Sequence, residues 1–232
     1  MRKVFILCLL CICEHALAQY PPVYPDAGSW NTLSISYGLT KKISVVFAEE
    51  LRIKENYSRL NLFYTNVGFE YKWNKFLKTA LVYRNTQKYK DENRFSFRHR
   101  LMWDVIVKYP IHKKIDLSYR HRLQVENRDI NSSIDGYLLE WYSRNKFEFT
   151  YKLNKKLSPY ISAELRYQIH DPRSVNSDKT WHRNRYQGGF DYQLSEKSKV
   201  GVYYLVQHEY NIELPETIYI TGLEYSLSLN KQ

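Results

Sequence analysis

The sequence predicts an all-β fold, an antiparallel transmembrane β-barrel of about 10–12 strands, and three observations carry that prediction. Apolar and charged residues alternate with period two through nearly all of the chain beyond residue 28. The alternating runs are long, roughly 11–17 residues against the roughly 5–6 usual in soluble domains. The connections between them switch between short and longer along the chain.

The stretch RFSFRHRLMWDVIVKY, Arg94 to Tyr109, shows the pattern at full strength. Phe95, Phe97, His99, Leu101, Trp103, Val105, Val107 and Tyr109 share one parity, and Arg94, Ser96, Arg98, Arg100, Met102, Asp104, Ile106 and Lys108 the other. Successive side chains of an extended chain point to opposite sides. One face of this strand is therefore apolar and the other mostly charged, which suits a wall with lipid outside and water inside.

In chain order, MRKVFILCLLCICEHALAQ begins with Arg2 and Lys3, continues as an apolar run from Val4 to Ile12 and reaches Ala16-Leu17-Ala18. This is the pattern of a secretory signal with a small-x-small cleavage site, and its apolar run is far short of the ~20 residues of a spanning helix. Residues 1–18 are read as a cleaved signal peptide and Gln19 as the first mature residue. Cys8, Cys11 and Cys13 all lie inside the signal, which leaves the mature chain without disulfide, thiolate or cysteine–metal chemistry. Neither Cys11, after Leu10, nor Cys13, after Ile12, follows the small residue that precedes a lipidated cysteine.

Residues 19–28 contain Pro21, Pro22 and Pro25, which disfavours a regular strand. Eleven alternating segments follow: Ser29 to Thr40, Ile43 to Lys54, Leu60 to Lys72, Phe76 to Tyr89, Arg94 to Tyr109, Ile115 to Glu126, Tyr137 to Leu153, Pro159 to His170, Trp181 to Leu194, Val200 to Tyr210 and Thr217 to Leu229. No linker divides them, so residues 29–232 form one barrel domain. The short connections are basic, as in Lys41-Lys42, Asn74-Lys75, His112-Lys113-Lys114, Asn154-Lys155-Lys156 and Ser195-Glu196-Lys197. The other set includes Asn127 to Gly136 and Asp171 to Thr180. Short turns at one end and longer loops at the other match an outer-membrane barrel with its short side toward the periplasm.

Aromatic residues favour the segment ends: Trp73, Phe76, Tyr109, Tyr151 and Tyr192 near the short turns, and Tyr83, Phe95, Trp141, Tyr167 and Tyr186 toward the loops. Two girdles at the membrane interfaces account for them. The opposite parity carries Glu50, Arg52, Glu70, Lys78, Arg84, Arg98, Arg100, Asp104, Arg120, Arg122, Glu126, Arg144, Lys146, Glu148, Glu164, Arg166, Arg183, Arg185 and Asp191. Ionised groups taken from water need partners, so this face is no soluble apolar core. A secreted sandwich or lipocalin-like carrier also alternates, but it has shorter strands.

The formal net charge of +11 falls to about +10 without the signal and raises nucleic acid as a partner. The basic residues, however, alternate with Phe, Leu and Val along strands and share their face with acids. A solvated lumen explains that placement better, with outer-membrane lipids and a small anionic solute as the expected partners.

Trp30, the segment KKISVVFAEELR (Lys41 to Arg52) and the strands FRHRLMWDV and YRHRLQVE together resemble a family of uncharacterised β-barrel proteins of Gram-negative envelopes, known mainly as a domain of unknown function. The resemblance implies an outer-membrane barrel and brings neither an activity nor a ligand.

No catalyst is expected. Outer-membrane phospholipases and lipid A deacylases pair a Ser with a His, but His99, His121, His170, His182 and His208 match no such pattern, and His99 and His121 fall on the apolar face. His170, Asp171, Asp178 and His182 share a loop region that could hold a divalent ion, but their spacing is irregular and mixed with Arg173, Lys179 and Arg183. No cofactor is predicted. The remaining constellation is a lumen charge network of Glu50, Arg52, Arg98, Arg100, Asp104, Arg120, Arg122, Glu126, Arg144, Glu148, Arg166, Arg183 and Arg185. Such arginines either favour anions in a narrow pore or pair with acids and fill the barrel, and the structural role is favoured.

Two expectations concern geometry. Eleven segments conflict with the even strand number of single-chain bacterial barrels, so residues 19–28 are expected to thread the lumen against the small inward residues Ser34, Ser36, Gly38, Gly222, Ser226 and Ser228. In the fifth hairpin, pairing Tyr109 with Ile115 places Arg98 opposite Glu126, Asp104 opposite Arg120 and Lys108 opposite Asp116, all opposite in sign.

Overall fold

The computed structural model of the chain describes residues 24–90, 94–128, 139–172, 179–212 and 214–230. The expected signal peptide, residues 19–23, Asp178 and most of the two longer loops lie outside them. Eleven strands follow in order: β1 (Tyr24–Gly38), β2 (Ile43–Lys54), β3 (Arg59–Lys72), β4 (Leu77–Tyr89), β5 (Phe95–His112), β6 (Ile115–Arg128), β7 (Leu139–Tyr151), β8 (Leu157–His170), β9 (Thr180–Gln193), β10 (Ser198–Glu209) and β11 (Glu216–Asn230). Each pairs with its chain neighbours and β1 pairs with β11, closing the sheet into a barrel.

The closing pair is parallel, running from Tyr24 opposite Glu216 to Gly38 opposite Asn230. An odd number of hairpin-connected strands can close only in this way, so the eleven segments read from the sequence close the barrel without a further crossing. The expectation that residues 19–28 thread the lumen fails for Tyr24–Gly28, which stand in the wall as the first third of β1. Pro25 is tolerated there because β1 is paired on its β2 side only from Ser29 onward, so the missing N–H breaks no ladder on that side. The small inward residues line the parallel seam itself: Gly222 faces Trp30, Ser226 faces Ser34 and Ser228 faces Ser36. The Ser34 hydroxyl donates to Ser226 Oγ at 2.9 Å.

Four short turns share one device, a side-chain oxygen that accepts from the backbone two and three residues on. Thr40 Oγ1 takes Lys42 N and Ile43 N at 3.1 and 2.9 Å. Asn74 Oδ1 takes Phe76 N and Leu77 N, and Asn154 Oδ1 takes Lys156 N and Leu157 N, all at 2.8–2.9 Å. Ser195 Oγ does the same for Lys197 N and Ser198 N. At the opposite end Glu55, Asn56 and Tyr57 all adopt positive φ, 54°, 53° and 66°. Such a run is costly for non-glycine residues, and the Asp26 carboxylate holds it by accepting from Glu55 N and Asn56 N at 3.1 and 3.0 Å.

The register expected for the β5–β6 hairpin is displaced by two residues. Arg100 faces Glu126 and Asp104 faces Arg122, while Arg98 faces Arg128 and Lys108 faces Ser118. The cause is Pro110, which sits at a bulge where its missing N–H is harmless. The strand therefore continues to His112, opposite Ile115 across the two-residue turn Lys113-Lys114. Two of the expected attractions survive as diagonals, Arg98–Glu126 at 3.4 Å and Lys108–Asp116 at 3.2 Å.

The two parities occupy the two faces of the wall as expected. Leu81, Leu101, Trp103, Phe147, Ile161, Tyr186, Phe190, Val202, Leu223 and many other large apolar side chains project outward and are exposed. Aromatic contacts band this surface at both ends, Phe76–Tyr109 and Tyr71–Trp73 near the short turns, Tyr89–Phe95 and Tyr167–Trp181 near the loops. Inside, Met102, Gln124 and Ile220 are completely buried. Ala80, Val82 and Met102 form one small cluster, and Trp30, Leu205 and Ile220 another across the seam.

Candidate functional site

Every residue of the predicted charge network lies on the lumen parity of its strand, because each is an even number of positions from an inward neighbour in a continuous extended run. The barrel then organises them around a few carboxylates. Glu164 on β8 is the hub: it accepts from Arg120 Nη2 at 2.6 Å, Arg144 Nη2 at 2.5 Å and Arg185 Nη1 at 3.1 Å. These guanidiniums come from β6, β7 and β9. Glu126 takes Arg100 and Arg98, and Asp104 forms a two-point pair with Arg122 at 2.6 and 2.7 Å. Arg183 pairs with Glu209, and Arg52 with Glu50 on its own strand. Glu148 stands apart from these hubs and pairs with Lys146 at 2.8 Å.

Aromatic shelves carry the guanidiniums that carboxylates do not saturate. Arg52 lies 3.5 Å over the Trp30 ring and Arg185 5.1 Å from the same ring. Arg84 stacks on Tyr64 at 3.6 Å and donates to Asn66 Oδ1 at 2.6 Å. Arg166 stacks on Tyr142 at 3.9 Å. A cation over an aromatic face is stabilised by the ring quadrupole, which lets a crowded lumen hold more arginines than acids.

The sequence did not single out Glu164, Glu209, Trp30, Tyr64 or Tyr142 for these roles. Parity alone places Tyr142 beside Arg144 and Tyr64 beside Asn66 on the inner face. The girdle interpretation drew attention to tyrosines on the outer face instead.

The space between these groups is a cavity of about 620 Å³ that reaches the loop-end rim at Lys54, Lys88 and Leu214. Among the described residues its lining contains ten arginines and three lysines against seven glutamates. Three of the histidines considered for catalysis have ordinary partners: His99 bonds Tyr83 at 2.6 Å, His121 bonds Asn145 at 3.0 Å and His208 bonds Thr217 at 2.7 Å, all on the outer face. His182 is inward, 4% exposed, with its ring 5.7 Å from that of Tyr142. Among the described residues no group of three or more His, Cys, Asp or Glu side chains is placed to hold a metal ion.

The fold and site together define a closed β-barrel with an apolar exterior and an arginine-rich, internally paired lumen. The chain belongs to the family described as "Protein of unknown function (DUF2490)", which matches residues 27–216. No curated protein matches the sequence. Among solved structures, the NanC porin in a rhombohedral crystal form is similar at 12% identity over 78% of this chain and 86% of that one, with a TM-score of 0.48.

Proposed function

We propose that the protein is an integral outer-membrane barrel whose arginine-rich lumen chiefly braces the wall and leaves at most a narrow, anion-biased passage. The observation that carries this reading is the sorting of the two parities: a continuous apolar exterior encloses guanidiniums whose acids are shared between strands, as at Glu164. The N-terminal signal pattern and the strand length support the location. Completely buried lumen side chains such as Met102 and Gln124 argue for a filled barrel over a wide channel. The excess of arginine over acid in the cavity lining favours anions, since charged lumen groups set selectivity.

Envelope fractionation and gel mobility of boiled against unboiled protein test the location. Recovery in the soluble periplasm with no heat-dependent shift overturns it. Planar-bilayer recording then tests the passage: small anion-selective steps or no conductance agree with the proposal, and cation-selective or large porin-like steps contradict it.

A further inference from the structure

Resting on the barrel reading above, we propose that the loop-end lumen binds a soluble tetrahedral oxyanion, a phosphate or phosphate monoester, on the adjacent guanidiniums of Arg166 and Arg183. Arg166 stands in register between Arg144 and Arg183, so three like charges face one another across β7, β8 and β9. Facing like charges repel. Arg144 is offset by Glu164 and Arg183 by Glu209. Arg166 has no such partner among the described residues; its plane lies on the Tyr142 ring, and its Nε is buried without a hydrogen bond.

The same corner holds two more buried nitrogens without a partner, Arg183 Nε and His182 Nδ1. They come together because the β8–β9 pairing slips at Arg166/Tyr167. The slip leaves Trp181 outward and buries His182 beside Tyr142, next to Arg183. Of the acids nearby, Glu126 is engaged by Arg98 and Arg100, Glu209 by Arg183, and one oxygen of Glu140 by the Tyr142 hydroxyl.

Buried donors left unmade are costly, and two unsatisfied guanidinium nitrogens on facing residues call for an anionic acceptor. A carboxylate presents two oxygens in one plane, whereas a tetrahedral oxyanion presents three or four in three dimensions. The guanidiniums of Arg166 and Arg183, on the neighbouring strands β8 and β9 and both lining the cavity, match such a group. Because Arg166 and Arg183 line the cavity, the ligand reaches them from water and not from the lipid.

Calorimetric titration of the full-length barrel in detergent tests this with inorganic phosphate, glycerol 3-phosphate, acetate and a short-chain phosphatidic acid presented in the micelle. Phosphate and glycerol 3-phosphate are expected to bind one per barrel, and Arg166→Gln to weaken both about tenfold or more through loss of a charge-assisted fork. Arg166→Lys keeps the charge but not the fork and should fall between the two. Lys197→Gln, on an exposed turn, should leave binding unchanged. The heat-dependent gel shift verifies that each variant is folded. Acetate binding as tightly as phosphate, phosphatidic acid binding alone, wild-type affinity in folded Arg166→Gln or Arg166→Lys, or no phosphate binding by folded wild type each overturns the inference. A protein without the heat shift fails the barrel reading, whereas a heat-shifting barrel that ignores phosphate fails only this site.

Discussion

Replacing Glu164 by Gln removes one charge from the point where three strands are tied together. The side chain is only 8% exposed, as is that of Arg144, so solvent does little to screen the loss. Glutamine keeps the volume and one carbonyl oxygen, but it puts an NH₂ where Arg120 or Arg144–Arg185 now donate. Three guanidiniums then face one another without a counter-charge. Removing one partner of a buried ion pair costs about 3–5 kcal/mol, because the remaining charge stays desolvated. A matched comparison is Glu148→Gln: Glu148 is 31% exposed and holds a single Lys146, so its loss should cost about 0–1 kcal/mol. Urea unfolding of both variants in detergent, followed by tryptophan emission and by the heat-dependent gel shift, measures the difference. Equal stability of Glu164→Gln and Glu148→Gln would refute the claim that Glu164 organises the lumen.

Three further outcomes follow from the geometry. Leu101→Arg, on the exposed outer face and half exposed there, should destabilise the barrel in lipid vesicles by about 2–4 kcal/mol, as for a basic residue near the bilayer midplane; an unchanged urea midpoint contradicts an apolar-facing exterior. In residues 19–232, which contain no cysteine, Leu101→Cys with Val125→Cys should oxidise readily because these residues face each other. Leu101→Cys with Leu123→Cys, offset by two residues, should not, since the diagonal exceeds the span of a disulfide, and the reverse result would restore the register expected from charge pairing. Gly222→Ala would place a Cβ within 1.9–2.3 Å of the Tyr203 ring, so it should displace that ring and cost about 1–3 kcal/mol; a thermal scan showing no loss would mean that the ring moves freely.

How much of this was legible in the residues differs between the wall and its contents. Period-two alternation is a local property, and it was enough to place Leu101 and Trp103 outside, Arg100 and Asp104 inside, and the ends of β2 at Ile43 and Lys54. Turn chemistry is also local, which is why the short connections at Asn74, Asn154 and Ser195 stand where the sequence put them. Parity was legible even for the histidines: His99 and His121 are outward, as their neighbours required.

The hairpin register was not legible, because a two-residue shift keeps every side chain on its face and changes only a few cross-strand pairs worth roughly 0.2–1 kcal/mol each. Pro110 outweighed them by moving the turn. Nor could local pattern show that β1 closes in parallel on β11, since closure depends on both ends of the chain. The ties at Glu164 are of the same kind. Arg120 reaches it from two strands away, and Trp30 lies beneath arginines from β2 and β9. What the sequence alone determined was the two faces of the wall and the strands that make it, for each follows from neighbours along the chain. The tertiary structure decided which charges meet, because only curvature of the closed sheet brings long guanidiniums from separate strands to one buried carboxylate.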